Sequence, residues 1–241
     1  MTTMSFLCSL LWEVADLNER YARNIPALSD SECTSLQKKK VAVIGCGGLG
    51  GHLVEFMARI GIGELVVVDG DHFERTNLNR QLLSETDAIG KSKAYTAADR
   101  VHRINPDVKV SVHHTLLTAE NADDLISGCD AVLDGLDNIA SRKILKQSCA
   151  KAGIPYIFGA ISGWVAQAAI SLPQDNLIDI LYPEQTIITD KSALSFTPAL
   201  CASMQTALCV KLLTGRAVQT GTIYYFDLLN QEYEVIPIVS S

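Results

Sequence analysis

A run of glycines separates an apolar stretch of this chain from a helical pattern. Gly45, Gly47, Gly48 and Gly50 follow directly on the apolar residues 41–44. Because glycine has no Cβ, a turn built from it lets backbone N–H groups approach an anion closely. A helix that starts at such a turn points its partial positive end at the same place. The run therefore predicts a turn that binds phosphate groups.

Charged side chains follow at positions from which they could complete such a site. Asp69 ends the next apolar stretch, about 20 residues beyond the last glycine, where a carboxylate accepts hydrogen bonds from ribose hydroxyls. Arg80 and Lys93 are cations that could reach phosphates from the rim of the turn, arginine through a planar fork and lysine as a point charge. Asp137 follows a later apolar stretch, and a carboxylate beside polyphosphate is suited to Mg²⁺. The glycine motif alone leaves NAD, FAD and ATP open.

The order of the predicted elements indicates how these residues come together. Apolar strands alternate with helical patterns at first, and the last strands read as antiparallel. The predicted fold is therefore α/β, with a Rossmann-like, mostly parallel sheet, helices on both faces and antiparallel C-terminal strands. The predicted strands are 41–44, 65–68, 108–113, 131–133, 155–158, 165–172, 222–226 and 233–238, and the predicted helices are 13–37, 49–60, 91–104, 121–126, 138–152 and 198–213.

Length and composition fit one domain of this kind. The 241 residues are 48% hydrophobic and 20% charged, an ordinary composition for a globular protein. A formal charge of −7 speaks against a general nucleic-acid partner. No stretch reaches roughly 18 uninterrupted apolar residues, so we expect no membrane span, and residues 1–12 do not read as a signal peptide. Seven scattered cysteines without C-x-x-C spacing predict reduced thiols in the cytoplasm.

Several separated motifs occur here in the order in which one enzyme family carries them. The chain resembles the ubiquitin-activating-like adenylyltransferases, the ThiF/MoeB/HesA family, over about residues 20–215. The resemblance implies a single domain over 1–241, with an N-terminal helical arm at 1–40 and a nucleotide-binding core at 41–160. The motifs that carry it are Arg20-Tyr21-x-Arg23, the Gly-x-Gly-Gly-x-Gly turn, Asp69-x-Asp71, Asn77-x-x-Arg80-Gln81, Lys93 and Asp137-Asn138.

The resemblance implies an ATP site with Mg²⁺. Asp69 would hold the ribose, and Asn77, Arg80 and Lys93 would hold the phosphates. Asp137 would sit at the Mg²⁺. The other implied nucleotide-binding residues are the four glycines of the turn, Asp71, Gln81 and Leu136.

Other positions of these motifs leave alternatives open. Arg23 would match a family arginine that reaches into the partner's active site in a homodimer, which gives an implied catalytic set of Arg23, Arg80, Lys93 and Asp137. Arg20 and Arg23 could instead be exposed helix charges. Asp71 could cap a turn, and Gln81 could be a structural hydrogen-bonder beneath the glycine turn.

The implied reaction joins AMP to an acyl terminus. A C-terminal carboxylate attacks the α-phosphorus of ATP, pyrophosphate leaves and an acyl-adenylate forms. The usual substrate of the family is a small ubiquitin-like sulfur-carrier protein with a Gly-Gly end, which then passes to a sulfur donor. The C-terminal part 161–241 would bind the carrier, with the unpatterned loop 173–196 on its surface and the tail threading toward 159–163.

The sequence departs from the family in its cysteines. Many relatives hold a structural zinc with two C-x-x-C pairs, and none occurs here, so we expect no zinc. No cysteine lies within 171–200, so we expect adenylation without an enzyme-bound thioester. Cys201 follows near the start of a predicted helix, whose positive end could lower the pKa of its thiol, although a buried structural role is favoured.

Three alternative functions stay open. An NAD-dependent oxidoreductase would share the glycine turn and the following aspartate. An interaction-only member of the fold would carry no chemistry, which the retention of the cationic residues opposes. The same chemistry could also act on a peptide or on a tRNA-linked carboxylate.

Overall fold

The computed structural model describes residues 19–184, 186 and 192–238. In this part of the chain one eight-stranded sheet has the order β3-β2-β1-β4-β5-β6-β7-β8. Its strands are β1 (Lys40–Ile44), β2 (Glu64–Val68), β3 (Lys109–His113), β4 (Ala131–Asp134), β5 (Tyr156–Ser162), β6 (Val165–Ser171), β7 (Thr222–Asp227) and β8 (Glu232–Pro237). The helices are α1 (Asp30–Leu36), α2 (Gly48–Ile60), α3 (Lys93–Ile104), α4 (Ala122–Leu125), α5 (Ile139–Ala152), α6 (Leu177–Leu181) and α7 (Phe196–Leu213).

The first five strands run parallel, with β1 between β2 and β4. Residues Val41–Ile44 are at most 1% exposed, because helices cover both faces of the sheet. A strand buried on both faces reads as an uninterrupted apolar run, which explains the sequence signal. The strand order reverses between β1 and β4, and ligands of such folds bind at the carboxyl ends of the strands at that point.

Alternate residues of β1 belong to different layers of the core. Val41 and Val43 lie in the cluster that includes buried residues of α2, α3 and α7. Ala42 and Ile44 lie in the cluster that includes buried residues of α5 and α6. The period of two along a strand sorts these side chains to opposite faces. The expectation of helices on both faces of a mostly parallel sheet is confirmed.

The last four strands are antiparallel, as expected. β5 pairs with β6, β6 with β7 and β7 with β8. Strand β8 forms one edge of the sheet and all six of its residues are exposed. The mixed sheet therefore joins a parallel half to an antiparallel C-terminal half.

Two expected elements differ from the structure. The helix predicted over 13–37 is two segments, a 3₁₀ segment (Glu19–Asn24) and α1, while residues 13–18 lie outside the described part. Pro26 cannot continue a helix, and a capping box of Ser29 and Glu32 starts a new one. The loop 173–196 contains the short helix α6, whose five residues are too few to show a period.

One helix of the described residues, α7, is long and apolar enough to cross a membrane by length and composition alone. Half of that window is buried inside the protein. The fully buried Gln205 of this helix donates hydrogen bonds to the backbone oxygens of Asp134 (2.9 Å) and Ile157 (3.1 Å). The helix is therefore part of the sheet's own core packing in this structure.

Candidate nucleotide-binding site

Two glycines of the turn allow the backbone to pack against itself. Gly45 has a φ of +91°, in the left-handed region that favours glycine. A Cβ on Gly45 would lie 2.6 Å from the Gly135 oxygen, and a Cβ on Gly50 would lie 1.7 Å from the Gly45 oxygen. These contacts bring the turn after β1 against the loop after β4. They fix the edge of the sheet at which the strand order reverses.

Gly47 and Gly48 have room that the other two lack. A Cβ on Gly47 would lie 3.5 Å from the nearest atom, the Gln81 Nε2, and one on Gly48 would lie 3.9 Å from the nearest, the Pro198 Cβ. Both residues line a cavity, and α2 begins at Gly48. The N–H groups of a helix's first turn have no partner within the helix. The open side of the turn can therefore take an anion.

The cavity lies along the carboxyl edge of the parallel strands and has a volume of about 580 Å³. One end is formed by residues of β2 and of the segment after β3, and the other by residues of β5, β6 and the segment after α6. Of the residues expected at the site, it brings together Gly45, Gly47, Gly48, Asp69, Asp71, Arg80, Gln81, Lys93, Leu136 and Asp137.

Asp69 is held in a fixed orientation beside the glycine turn. Its Oδ2 accepts the Cys46 N–H at 2.7 Å, and its Oδ1 accepts the Asp71 N–H at 2.8 Å. Burial raises the pKa of this carboxyl, while the two backbone hydrogen bonds and nearby Lys93 oppose that shift. Each oxygen keeps lone-pair capacity for a further donor. The carboxylate is thus placed to accept from hydroxyl groups in the cavity.

Lys93 and Asp71 form an ion pair on the cavity wall. The Lys93 Nζ lies 3.0 Å from the Asp71 Oδ2. The residue Lys93 is 7% exposed, whereas the Asp71 side chain is 62% exposed. In this structure the Asp71 carboxylate therefore takes the ammonium group instead of capping a turn.

Arg80 and Gln81 also line the cavity. The Arg80 Nη1 donates to the Thr76 oxygen at 2.7 Å and to the Asn79 Oδ1 at 3.0 Å, and the residue is partly exposed on the cavity wall. Gln81 is 8% exposed and its side chain lies against Gly47. The buried Gln81 Oε1 has no hydrogen-bond partner among the residues that the structure describes. Gln81 therefore packs beneath the turn and keeps an acceptor available.

Three expected residues lie outside the cavity wall. Gly50 supports the turn by close packing, as described above. The Asn77 Oδ1 accepts the Glu74 N–H at 3.0 Å, so this amide closes a local cap. Arg23 is exposed on the 3₁₀ segment Glu19–Asn24. A contact of Arg23 with an active site would have to come from a second copy of the chain, and this stays a prediction.

Asp137 gives the cavity an exposed carboxylate on the loop after β4. It follows β4, and its Oδ1 accepts a hydrogen bond of 3.4 Å from the Asn138 side chain. Among the described residues, no group of three or more His, Cys, Asp or Glu could hold a metal by itself. Mg²⁺ is commonly bound by one or two carboxylates together with substrate phosphates. Asp137 fits that arrangement.

Sequence reasoning missed a buried polar network beneath the cavity. Arg142 on α5 is 4% exposed, and its Nε lies 3.1 Å from the Oδ2 of the fully buried Asp134. Tyr156 also donates its O–H to Asp134, and Arg142 donates to the Tyr182 hydroxyl at 2.8 Å. The one sequence signal for this network is Asp134, an aspartate at the end of an apolar run. The residues that it contacts lie far away along the chain, so the sequence does not reveal them.

Cys201 is a core residue. It is 0% exposed and its Sγ donates to the Gln167 oxygen at 3.2 Å. Burial raises the pKa of the thiol to about 12. The suggestion that a helix end could lower this pKa is wrong, because the residue lies beyond the first turn of α7 and burial dominates. The favoured structural role agrees with this environment.

The fold is of the Rossmann-like class, with a cavity at the edge of the sheet where ligands of such folds bind. The family model described as "ThiF family" matches residues 21–241, so the chain belongs to the ThiF family. The SAMP-activating enzyme E1 of Haloferax volcanii is 33% identical over 91% of this chain and 84% of its own length. The probable adenylyltransferase/sulfurtransferase MoeZ of Mycobacterium tuberculosis is 32% identical over 91% of this chain but only 59% of its own length. These relatives confirm the expected enzyme class, an adenylyltransferase.

A solved structure shows the same fold. MccB of E. coli with ATP has a TM-score of 0.79 at 21% identity, and the match covers 95% of this chain and 74% of that one. At that identity the likeness supports the architecture and not the substrate.

Proposed function

We propose that this chain uses ATP to adenylate the C-terminal carboxylate of a small ubiquitin-like sulfur-carrier protein with a Gly-Gly end. The products would be an acyl-adenylate and pyrophosphate. The observation that supports this proposal best is a single cavity, which runs from the glycine turn to a second end between β5, β6 and the segment after α6. A nucleotide at the turn and an acyl terminus at the second end would meet within the same space.

The two ends of the cavity suit these two substrates. Asp69, with Leu116 and Leu117 nearby, offers a carboxylate and apolar surface at the nucleotide end. Within the described part of the chain, the wall of the acyl end carries no exposed charged side chain, and its residues from β5 are Ala160, Ile161 and Ser162. A chain terminus that threads there would meet these neutral side chains. That environment supports a slender tail such as Gly-Gly.

The chemistry needs no general base. A C-terminal carboxylate is ionised at neutral pH and is already a nucleophile. The barrier comes from charge, because an anion must approach the polyanionic triphosphate. Arg80, Lys93 and the N–H groups at the start of α2 would offset that charge and orient the phosphates. Mg²⁺, held by Asp137, would screen the phosphate oxygens.

Relatives support the class of acyl substrate. The relative from Haloferax volcanii is named a SAMP-activating enzyme, and MoeZ is named an adenylyltransferase and sulfurtransferase. Solved structures of E. coli MccB with MccA share the fold, and a peptide substrate is the second candidate. With the family established, the NAD-dependent oxidoreductase and the interaction-only protein have no supporting observation.

We also propose the wider setting that the family resemblance implies. The chain would act in the cytoplasm as a homodimer, with Arg23 of each copy reaching the other copy's cavity. The C-terminal part, with the segment 173–196, would bind the body of the carrier. The activated carrier would then pass to a sulfur donor without a thioester to this enzyme.

The test is ATP–pyrophosphate exchange with a panel of Gly-Gly carrier proteins and, in parallel, short peptides. We expect exchange that needs ATP, Mg²⁺ and a carrier, with a mass increase of one AMP on the carrier. Exchange with free peptides but with no carrier would favour the second candidate. Tight NAD binding in calorimetry together with no binding of Mg²⁺–ATP would contradict both.

A further inference from the structure

Arg142 occupies the junction between the two ends of the cavity. It lies in the first turn of α5, whose N-cap is Asn138. The residue is 4% exposed, yet it belongs to the cavity wall. A cation that is almost fully buried in this position needs a structural or functional reason, because removing a charge from water is costly.

One side of the guanidinium joins the two halves of the wall. The Arg142 Nη2 donates to the Leu136 oxygen at 2.7 Å and to the Gly159 oxygen at 2.8 Å. Leu136 directly precedes Asp137, and Gly159 directly precedes the β5 residues at the acyl end. A single nitrogen therefore fixes the distance between the proposed metal-side loop and the acyl end.

The other side of the guanidinium anchors the segment after α6. The Arg142 Nη1 donates to the Tyr182 hydroxyl at 2.8 Å. The guanidinium carbon also lies 5.7 Å from the centre of the Tyr182 ring and 5.2 Å from that of Phe158. Tyr182 directly follows α6 and lines the cavity. The position of this wall thus depends on Arg142.

The charge balance separates a positioning role from direct substrate binding. Asp134 is 0% exposed and its Oδ2 lies 3.1 Å from the Arg142 Nε, so the pair is neutral overall. Tyr156 donates its hydroxyl to the same carboxylate. The guanidinium makes three hydrogen bonds through its two Nη atoms, and the ion pair with Asp134 offsets its charge, which weakens its attraction for a substrate carboxylate.

We propose that Arg142 is a positioning residue that shapes the acyl end of the cavity through its hydrogen bond to Tyr182. The inference rests on the proposed function, because it assigns this end to the acyl terminus. Tyr182 forms the wall that the incoming tail meets, and Arg142 aligns that wall with the Asp137 loop. Nucleotide binding at the glycine turn does not depend on this hydrogen bond.

The first test is amide hydrogen exchange in Tyr182→Phe. This substitution removes the acceptor hydroxyl and keeps the ring, whereas Arg142→Ala would leave Asp134 buried and unpaired and is expected to unfold the chain. Loss of a hydrogen bond to a charged group predicts exchange about tenfold faster in α6 and the residues after it. The control is Tyr95→Phe, on a side chain that is 57% exposed on α3. Unchanged exchange in Tyr182→Phe would overturn the inference.

The second test separates the acyl substrate from the nucleotide. In ATP–pyrophosphate exchange with a Gly-Gly carrier that the wild type adenylates, Tyr182→Phe should raise the KM for the carrier about tenfold. The Kd for a non-hydrolysable ATP analogue should stay within twofold of wild type by calorimetry. Arg142→Lys keeps the charge but cannot reach all of the same acceptors. It should raise the KM for the carrier and leave the Kd for the ATP analogue unchanged, as Tyr182→Phe does. An equal rise in the KM for the carrier and in the Kd for the ATP analogue would overturn the inference.

The two tests also separate this inference from the proposed function. If the wild type adenylates none of the carriers or peptides, the proposed function fails on the wild type alone. Faster exchange in Tyr182→Phe would then still support the anchoring of the wall by Arg142. Unchanged exchange would reject that anchoring whichever substrate the enzyme uses.

Discussion

The buried ammonium group of Lys93 lies 3.0 Å from the carboxylate of Asp71, whose side chain is 62% exposed. Water screens the exposed carboxylate more than it screens the buried ammonium group. The partners are therefore unequal in exposure, and Lys93 lies on the cavity wall, where a phosphate would compete with Asp71 for its ammonium group. This asymmetry suits a residue that pairs with an acid and also attracts phosphate.

Replacement of Lys93 by alanine should impair adenylation far more than stability. We expect Lys93→Ala to lower the rate of ATP–pyrophosphate exchange about 100-fold or more, as for the loss of a preorganised donor, and Arg80→Ala to act in the same direction. The matched control is Lys91→Ala, because Lys91 is exposed two residues earlier and lies outside the cavity wall. Exchange at the wild-type rate in Lys93→Ala would remove this residue from the mechanism.

Alanine at two neighbouring glycines should separate folding from binding. A methyl group at Gly50 would lie 1.7 Å from a backbone oxygen, so Gly50→Ala should lower the free energy of unfolding by at least about 3 kcal/mol. Gly48 is helical and its added methyl group would meet no atom closer than 3.9 Å, so Gly48→Ala should fold normally. Its methyl group should nonetheless weaken ATP binding about tenfold or more, measured by calorimetry. Normal ATP affinity in Gly48→Ala would argue against phosphate at this turn.

The carboxylate of Asp137 should set the metal dependence of the reaction. Asp137→Asn keeps the shape and removes the charge, so we expect the Mg²⁺ concentration for half-maximal exchange to rise about tenfold or more. Binding of ATP in the presence of EDTA should not weaken. Asp124→Asn, at an exposed carboxylate on α4, is the control. An unaltered Mg²⁺ titration would place the metal elsewhere.

Cys201 should be dispensable for adenylation. With a pKa of about 12, only about one thiol in ten thousand is ionised at pH 8. Cys201→Ala should keep the exchange activity and lower the free energy of unfolding by about 1–2 kcal/mol through lost packing. Mass spectrometry of the working enzyme tests the point directly, since a carrier joined through Cys201 as a thioester would show that this buried thiol does react.

A surface ion pair should make stability depend on acid pH. The guanidinium of Arg216 binds both carboxylate oxygens of Glu32, at 2.6 and 2.8 Å, and this hydrogen bonding lowers the pKa of Glu32 from 4.5 to about 2. A carboxyl whose pKa is lower in the folded state contributes stability fully above pH 4.5, and that contribution is lost as the pH falls toward 2.

Thermal unfolding over this pH range provides the measurement for the ion pair. Arg216→Gln should show a smaller fall in Tm between pH 5 and pH 2 than the wild type, and added salt should narrow the difference. Lys211→Gln, at an exposed residue of α7, is the control. Identical pH profiles for wild type and Arg216→Gln would contradict the linkage.

The sequence predicted those parts of the fold that depend on contacts between residues close together in the chain. The β1 and β2 runs are buried on both faces, so they read plainly as parallel strands, and the turn after β1 needs glycine for contacts within a few residues. Asn77 shows the limit of motif reasoning, because its amide is taken by a local cap that the motif does not reveal. Roles toward the nucleotide and the metal stay predictions for all the site residues.

Long-range contacts could not be read from the chain. Arg142 and Tyr182 are 40 residues apart, and Gln205 reaches the backbone of Asp134 across 71 residues. The periodicity of a sequence does not reveal such long-range contacts, because they depend on how α5, α6 and α7 pack against the sheet. The buried network was for that reason visible only once the fold was known.

The backbone contact between Gly45 and Gly135 has a consequence for attempts to redesign the enzyme. Peptide groups touch there without an intervening side chain. Any other residue at either position in a mutational library would therefore disrupt the fold. Selection for another nucleotide would have to vary the apolar wall at Leu116 and Leu117 instead. Directed evolution of the pocket should therefore keep both glycines.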